Sequence, residues 1–473
     1  MNQPIPNQHI KPALIMAALL LSAFTGLLNE TALNMAYTEI MADFQISTAT
    51  AQWLTTGFLL VMGILVPLSA YLNQTYTTRQ LYITALSLLS LGTFVAALAP
   101  AFSLLLLARI IQASGLGILM PLMINILLLI FPPKRRGTVM GIMSLVILCG
   151  PAFGPSFSGF ITEYFTWHYI FWTTLPIFLL LLAFGWKVVQ NVTVPRKLKF
   201  DIPSFLLSSL GFGGIVFGFS MAGEGGGEFV STEVILPILI GFTALIIFSK
   251  RQFKIEQPLL NLRVLKYPMY VFGLFAVFVG HMIIMSQAIL LPMFLKTGLA
   301  ITGLIAGLIL LPAEACNGIM SVVIGRLMDK YGPKWLVIPG FALLIVTTFL
   351  FSGISRDISI AAFILLHIGL IIGVTMISSP SQTNGLNQLP RKYYPDGTAI
   401  VNTLMQIAGA LGTAVSVSLL TKGQHNYMIS GEAAGENIVA EALIAGVQYA
   451  FSFLVVITII GFVASLFIKR VNV

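Results

Sequence analysis

Apolar segments of about 20 residues recur along almost the whole chain, and this restricts the fold to membrane-spanning helices. A transmembrane helix needs this length because the hydrocarbon core of a bilayer is about 30 Å thick. Fourteen such segments are recognised, the first near residues 13–35 and the last near 446–468. Hydrophobic residues make up 57% of the chain and charged residues 9%. We therefore predict an all-α polytopic membrane protein, with the lipid bilayer as its main surroundings.

The basic residues alternate from one side of the predicted membrane to the other. Nearly all Lys and Arg fall in one set of loops, and the opposite set contains only Lys296, Arg356 and Lys422. The positive-inside rule assigns the basic side to the cytoplasm. We therefore predict that both termini are cytoplasmic. The net charge of +9 reflects this topology and excludes a nucleic-acid-binding surface, because the basic residues are dispersed over short loops.

The spacing of the segments divides the chain into three parts. Residues 1–186 hold six predicted helices, residues 187–266 hold two helices flanked by basic stretches, and residues 267–473 hold six more. The loop between the second and third helices ends in a basic residue in both six-helix blocks, Arg79 in one and Lys334 in the other. Such a weak internal repeat is typical of secondary transporters.

The fifth predicted helix contains an unusual series of glycines and prolines. Gly150, Gly154 and Ser158 recur every four residues, so they share one face on which another helix can approach closely. Pro151 and Pro155 remove backbone hydrogen-bond donors and soften the helix. Ordinary packing explains the glycines alone, but it does not explain the tandem Gly-Pro spacing. The complete motif consists of Gly141, Gly150, Pro151, Gly154, Pro155 and Gly159.

Two ionisable residues lie inside predicted spans of the first block. An Arg in a span, such as Arg109, is costly and generally pairs with an acid or lines a polar cavity. Counting residues at 1.5 Å each puts Glu30 and Arg109 within about 10 Å of the outer ends of their helices, so we predict that they meet. Snorkelling of Arg109 to the surface and a water-facing Glu30 remain alternatives. Asn34 and Gln112, on the same helices, are secondary candidates.

Three further ionisable residues lie near the middle of spans in the second six-helix block. Glu314 is a hypothesis for proton exchange or substrate binding by default, because acids are rare inside membranes; the alternative is a neutral acid bonded to a neighbouring helix. His281 and His367 can relay protons, although hydrogen-bonded packing is the preferred interpretation of both. Cys149 and Cys316 lie in spans and suggest neither a disulfide nor a metal site.

These motifs resemble those of the major facilitator superfamily, specifically the 14-helix drug:proton antiporter family of the lincomycin-resistance type. The Gly-Pro series resembles the antiporter motif, residues 109–117 resemble an intramembrane arginine motif, and residues 28–36 resemble an acidic motif in which Glu30 takes the acidic position. Residues 325–334 match the cytoplasmic gating motif well, whereas residues 70–79 match it poorly. The gating residues are Arg79, Gly325, Asp329, Lys330, Gly332 and Lys334.

The resemblance implies a monomeric, proton-coupled antiporter of the bacterial cytoplasmic membrane. It would export hydrophobic, often cationic, drugs by alternating access of two six-helix halves, with Glu30, Arg109 and Glu314 coupling proton and substrate binding. The chain has no phosphate loop and no metal-binding His pair at helical spacing, so neither an enzyme nor a cofactor or metal is expected. Sodium coupling, proton-coupled import of a metabolite, and a non-transport role as a sensor or lipid scramblase remain alternatives.

Overall fold

The fold is a bundle of long α-helices. The computed structural model describes residues 11–131, 133–192, 195, 201–224, 228–255, 258–390, 393–429 and 438–471, and these residues contain α-helices and no β-strand. The helices are α1 Pro12–Phe44, α2 Thr48–Thr75, α3 Thr78–Ala97, α4 Phe102–Ile130, α5 Pro133–Tyr164, α6 His168–Val188, α7 Ile202–Glu224, α8 Thr232–Lys254, α9 Pro268–Met293, α10 Gly303–Tyr331, α11 Lys334–Ser352, α12 Ile360–Asn387, α13 Tyr394–Ile429 and α14 Ile438–Ser465.

Their length and composition confirm the predicted membrane fold. Thirteen of these helices are long and apolar enough to cross a membrane, and α5 is the one outside that set. The count of fourteen spans and the cytoplasmic position of the termini therefore stay predictions. We call the end of the bundle that holds the start of α1 and the end of α14 the termini side, and the opposite end the far side.

Helix α1 extends well beyond the segment predicted from hydropathy. The first span was expected to end near residue 35, but α1 continues to Phe44 and is closed by Gln45 in the left-handed conformation. Glu30 therefore lies about 21 Å from the end of its helix at 1.5 Å per residue, and the expectation of about 10 Å is wrong. A helix keeps its backbone bonds where it leaves the apolar layer, so hydropathy underestimates its length.

The helices of the two six-helix blocks pack in the same pairwise pattern. In the first block α1 packs on α5, α2 and α3 pack on α4, and α3 packs on α6. In the second block α9 packs on α13, α10 and α11 pack on α12, and α11 packs on α14. The weak loop repeat in the sequence thus has a counterpart in the packing, while the boundaries at residues 186 and 266 stay predictions.

Two helix pairs form the main contacts between the blocks, and the remaining two helices stand beside one of these pairs. The blocks meet where α2 packs on α13 and where α5 packs on α10. Helices α7 and α8 form a hairpin, and α7 packs on both α2 and α13. The side chains of Trp53 in α2 and Phe217 in α7 lie with their ring centroids 5.7 Å apart. The hairpin therefore covers one of the two lines along which the blocks meet.

Candidate functional site

The polar contacts described between the two blocks lie toward the far side. The hydroxyl groups of Thr56 in α2 and Thr413 in α13 share a hydrogen bond of 2.6 Å. On the other side of the molecule, the Ser156 hydroxyl of α5 donates to the carbonyl oxygen of Gly307 in α10 over 3.1 Å. Both pairs of helices are thus fastened near the same end of the bundle.

An ion pair at the far side adds a third link between the blocks. After α9 the chain makes a π-helical turn, Phe294–Gly298, from which the Lys296 ammonium donates to the carbonyl oxygen of Met35 over 2.7 Å. The same ammonium pairs with the Glu39 carboxylate near the end of α1. The Lys296 side chain is only 10% exposed. In the sequence, Lys296 stands out as an exception to the charge pattern, but no contact was predicted for it.

Arg109 is fully buried, with 0% of its surface exposed, so the snorkelling alternative is wrong. Its Nε donates to the carbonyl oxygen of Leu54 over 3.3 Å, and its Nη1 donates to the Asn29 side-chain oxygen over 3.3 Å. Its Nη2 donates to the backbone carbonyl oxygen of Glu30 over 3.2 Å. The guanidinium carbon lies 4.2 Å from the centre of the Phe58 ring, which is a favourable cation–π distance.

The Arg109 guanidinium is the centre of a polar network that links five helices. Gln112 accepts from Arg109 Nη1 at 3.0 Å and donates to the Thr93 hydroxyl of α3 at 2.9 Å. The Asn29 amide donates to the Thr174 hydroxyl of α6 at 3.0 Å. Together with the Leu54 carbonyl, these bonds connect α4 to α1, α2, α3 and α6. Gln112 was a predicted candidate, whereas Thr93 and Thr174 were not predicted, since buried hydroxyls leave no periodic signal in the sequence.

The predicted meeting of Glu30 and Arg109 does occur, but through the Glu30 backbone. Glu30 is 9% exposed, and its carboxyl group takes part in neither of the ion pairs found among the described residues, Lys296–Glu39 and Arg251–Asp201. The alternative of a water-facing Glu30 is wrong because the residue is buried.

One turn further along α1, the Asn34 side-chain oxygen accepts from the Thr55 hydroxyl of α2 at 3.3 Å.

The Gly-Pro series of α5 packs against the segment of α1 that carries Glu30. A methyl group on Gly150 would lie 2.8 Å from Leu27 Cβ, and one on Gly154 would lie 3.1 Å from the Ala32 amide nitrogen. The Thr31 hydroxyl lies 3.5 Å from the carbonyl oxygen of Pro151, which Pro155 cannot satisfy because proline has no N–H. The expected close approach along this helix face is confirmed.

The far end of the same series contacts the second block. A methyl group on Gly159 would lie 2.7 Å from the carbonyl carbon of Gly303 at the start of α10. Gly159 thus belongs to the contact between blocks, whereas Gly150 and Gly154 belong to the contact with α1. Gly141 lies in the termini-side part of α5, and its surroundings fall outside the described contacts.

The ionisable residues of the second block lie apart from the Arg109 network. The Glu314 carboxyl group is half-buried in α10 and has a hydrogen bond with Asn317. Asn317 accepts from the Thr375 hydroxyl of α12 at 2.8 Å. Among the described residues, no hydrogen bond or ion pair joins Glu314 to Glu30.

The two candidate histidines, His281 and His367, lie on different helices of the second block. His281 lies on α9 beside Gly409 of α13. His367, on α12, is 1% exposed, and neither ring nitrogen has a hydrogen-bond partner among the described residues. The interpretation of His367 as a hydrogen-bonded packing residue is therefore wrong. The ring packs near Phe363, with centroids 6.5 Å apart.

The gating motif is mostly helical and not a loop as expected. Helix α10 continues through Gly325, Asp329 and Lys330 to Tyr331, and Gly332 closes it with a φ of 81°. This left-handed conformation favours glycine because it has no Cβ. The Lys330 ammonium lies 5.1 Å from the Tyr331 ring centre, and Lys334 begins α11. The surroundings of the Asp329 side chain fall outside the described contacts.

Arg79, from the other copy of the gating motif, fastens α3 to the end of α6. Its guanidinium donates to the Trp186 carbonyl oxygen over 2.9 Å and lies 5.4 Å from the centre of the Trp186 ring. Its backbone N–H donates to the Asn191 side chain over 3.1 Å. These contacts lie within the first block, so they position α3 and do not bridge the blocks.

Comparison with known proteins agrees with this architecture. The family model described as Major Facilitator Superfamily matches residues 19–413. The chain is 53% identical to lincomycin resistance protein LmrB of Bacillus subtilis over 468 residues, covering 99% of this chain and 98% of the relative. It is 49% identical to the protein of the same name from Listeria monocytogenes, with coverage of 98% for both chains.

Solved structures show the same fold at low sequence identity. A bacterial homolog of the human lysosomal transporter Spinster, in an inward-facing and unoccupied conformation, gives a TM-score of 0.70 at 17% identity, covering 97% of this chain and 98% of that chain. The resemblance inferred from the motifs is thus confirmed. The chain belongs to the major facilitator superfamily of membrane transporters and is a multi-pass protein of the bacterial cytoplasmic membrane.

Proposed function

We propose that this protein exports hydrophobic, often cationic, drugs across the cytoplasmic membrane in exchange for protons. The observation that carries the proposal is the buried junction at Arg109, whose guanidinium is held by neutral acceptors while the Glu30 carboxyl beside it stays outside the described ion pairs. A carboxyl group in such a position can bind either a proton or a cationic substrate. Competition between the two at one group couples their movements in opposite directions.

The arrangement of the blocks supports alternating access. With the basic loops in the cytoplasm, the far side is the outer face, and the Thr56–Thr413, Ser156–Gly307 and Lys296–Glu39 contacts all hold that face closed. We propose that this closed outer face belongs to an inward-facing state, in which a drug enters from the cytoplasm or the inner leaflet. Opening the outer face requires these contacts to break, and the two six-helix halves then rock about the site between them.

The relatives support the substrate class. The similar proteins from Bacillus subtilis and Listeria are named lincomycin resistance proteins, and resistance by a membrane transporter is achieved by export. We propose a lincosamide or another amphiphilic drug as substrate, Glu30 and Arg109 as the coupling pair, and Glu314 as a second carboxyl site in the opposite half. We further propose that the protein acts as a monomer.

Drug-induced proton movement in proteoliposomes tests the proposal. The purified protein is reconstituted with a pH-sensitive dye inside, a pH gradient is imposed, and lincomycin or ethidium is added. We expect the wild type to move protons across the vesicle membrane only when a drug is present, and Glu30→Gln to abolish this response. Glu314→Gln is tested in parallel. Glu233→Gln, which neutralises an exposed carboxyl group on α8, is the matched control and should behave as the wild type.

Other outcomes of this experiment would support one of the alternative functions. Proton movement that survives both substitutions would keep antiport but remove Glu30 and Glu314 as carriers. A response to a sodium gradient in place of a proton gradient would indicate a sodium-coupled exporter. Proton and solute movement in the same direction would indicate a metabolite symporter, and the absence of any solute-dependent flux would favour a sensor or scramblase.

A further inference from the structure

The two helices outside the six-helix blocks form an apolar groove that faces the lipid. The groove has a volume of about 310 Å³ and is lined by Leu207 and Leu210 of α7 and by Ile240, Thr243 and Ile247 of α8. Helix α8 has the smallest buried share of any described span, 22%. The groove is therefore open to the bilayer and separate from the Arg109 network.

A stripe of lysines continues the groove toward the termini side. Residues three or four apart lie on the same helix face, so Lys250 and Lys254 follow directly on Thr243 and Ile247 along α8. Both ammonium groups are exposed, and neither belongs to the ion pairs found among the described residues. The same face of α8 thus passes from a groove of acyl-chain character to two positive charges at the membrane boundary.

Polar contacts hold this end of the hairpin in a fixed geometry. Arg251 pairs with Asp201 at 2.8 Å and donates to the Ser204 hydroxyl at 3.1 Å. The Gln252 amide donates to the same hydroxyl at 2.7 Å and its oxygen accepts from the Leu260 backbone N–H at 3.2 Å. The charge of Arg251 is balanced by Asp201, so Lys250 and Lys254 supply the positive charge that faces the lipid.

We propose that the α7–α8 hairpin binds an anionic phospholipid, with one acyl chain in the groove and the phosphate between Lys250 and Lys254. An acyl chain matches the apolar lining, and a negative headgroup complements two ammonium groups at the same end. Basic pockets between membrane helices on the cytoplasmic side recognise anionic headgroups in this way. A zwitterionic phospholipid fits the groove equally well but gains less from the lysines, so headgroup selectivity is the signature of the site.

Native mass spectrometry of the full-length protein in detergent tests the site. Delipidated protein is titrated with phosphatidylglycerol or with phosphatidylcholine of identical acyl chains. We expect tighter binding of phosphatidylglycerol to the wild type, and a loss of about tenfold in that affinity in Lys250→Gln/Lys254→Gln. Binding of phosphatidylcholine should be unchanged. The double variant Lys11→Gln/Lys187→Gln removes two exposed termini-side charges elsewhere and should keep the wild-type affinity.

A second variant separates the groove from the headgroup site. Thr243→Trp places a large side chain in the groove at an exposed position and should weaken both lipids to a similar degree. The proposal fails if phosphatidylglycerol binds Lys250→Gln/Lys254→Gln as it binds the wild type, or if Lys11→Gln/Lys187→Gln loses as much affinity. It also fails if Thr243→Trp leaves both affinities intact.

Discussion

Arg109 holds Glu30 by its backbone, because the arginine Nη2 donates to the Glu30 carbonyl oxygen over 3.2 Å. The bond that ties α4 to α1 therefore does not depend on the charge of the Glu30 side chain. A proton or a cation can arrive at the carboxyl group while the helix contact stays in place. An ion pair between the two side chains would instead have weakened at every protonation.

The fork geometry of Arg109 leads to a first prediction. Its donors reach acceptors on α1, α2 and α4 in different directions, whereas lysine is a compact point charge on a flexible stem. Arg109→Lys should therefore leave several buried acceptors unpaired, each at a cost of about 1–3 kcal/mol in the free energy of unfolding. We expect a lower unfolding midpoint in detergent and loss of drug-driven proton flux.

Arg356→Lys is the matched control for that substitution. Arg356 lies in an exposed position between α11 and α12, and exposed substitutions generally change stability by less than about 0.5 kcal/mol. The unfolding midpoint of Arg356→Lys should stay close to that of the wild type. Equal midpoints for Arg109→Lys and the wild type would contradict the assigned network.

A second prediction concerns the ion pair between Lys296 and Glu39 on the far side. Breaking it by Lys296→Gln removes one of the links that hold the blocks together there, so the population with an open far side should increase. The measurement is the labelling rate of Ala306→Cys, a fully buried position in the far-side part of α10, by a membrane-impermeant maleimide, in a background where Cys149 and Cys316 are replaced by serine. We expect faster labelling in Lys296→Gln.

The exchanged pair Glu39→Lys/Lys296→Glu distinguishes an ion pair from a packing effect. If charge attraction holds the far side closed, the exchange should bring the labelling rate back toward that of the unmodified pair, and added salt should weaken the effect through screening. The same labelling rate for the unmodified pair, Lys296→Gln and the exchanged pair would rule out that this ion pair holds the far side closed.

A third prediction follows from the different space around two glycines. Gly154→Ala would place a methyl group 3.1 Å from the Ala32 nitrogen, whereas Gly325 has no neighbour within 4 Å of that position. Overpacking costs about 1–3 kcal/mol, and alanine improves an open helical position by about 1 kcal/mol. Thermal unfolding should therefore show Gly154→Ala below the wild type and Gly325→Ala level with it or above. The same shift for both would refute the assigned packing.

A fourth prediction concerns pH and Asp201, which directly precedes α7 and pairs with Arg251. Partial burial raises the pKa of the Asp201 carboxyl, but hydrogen bonds from Arg251 and Ser204 outweigh it and hold the pKa below its usual range. A lowered pKa in the folded protein stabilises it at pH values above the unfolded value of about 3.9, and this contribution is lost as the pH falls through the folded value.

Asp201→Asn should therefore lower the unfolding midpoint at pH 7, and its difference from the wild type should shrink as the pH falls below the unfolded value of about 3.9. Asp357→Asn, at an exposed far-side position, serves as the control for loss of a carboxylate and should show no such dependence. An Asp201→Asn deficit that is equal at both pH values would contradict a role for the charged pair.

The sequence predicted the helices and the proximity of Glu30 and Arg109 because both depend on simple properties. Segment length and the scarcity of charge identify spans, and the rarity of intramembrane charges indicates that they meet. It was not predictable that Arg109 would bind the backbone of Glu30, since the type of a side chain does not say which atom of its neighbour is within reach. Lys296 was visible only as an exception to the charge pattern, because its partner depends on the tertiary fold.

Helix ends were the least predictable feature. Hydropathy stops where polar residues begin, yet α1 continues to Phe44 and α10 continues to Tyr331. Backbone hydrogen bonding does not require an apolar environment, so a helix passes through the membrane boundary without a signal in composition. The gating residues were therefore expected in a loop, although Gly325, Asp329 and Lys330 lie on the last turns of α10.

The position of the α7–α8 hairpin makes the two lipid-facing sides of the transporter, where the blocks meet, different from each other. The α2–α13 contact is shielded by α7, whereas α7 and α8 form no comparable packing with α5 and α10 among the described residues. The internal repeat gives the α2–α13 and α5–α10 contacts similar positions in the protein. The inserted hairpin makes their exposure to lipid different. From the membrane, the α2–α13 contact is thus reached only past α7, whereas the α5–α10 contact is not covered by the hairpin among the described residues.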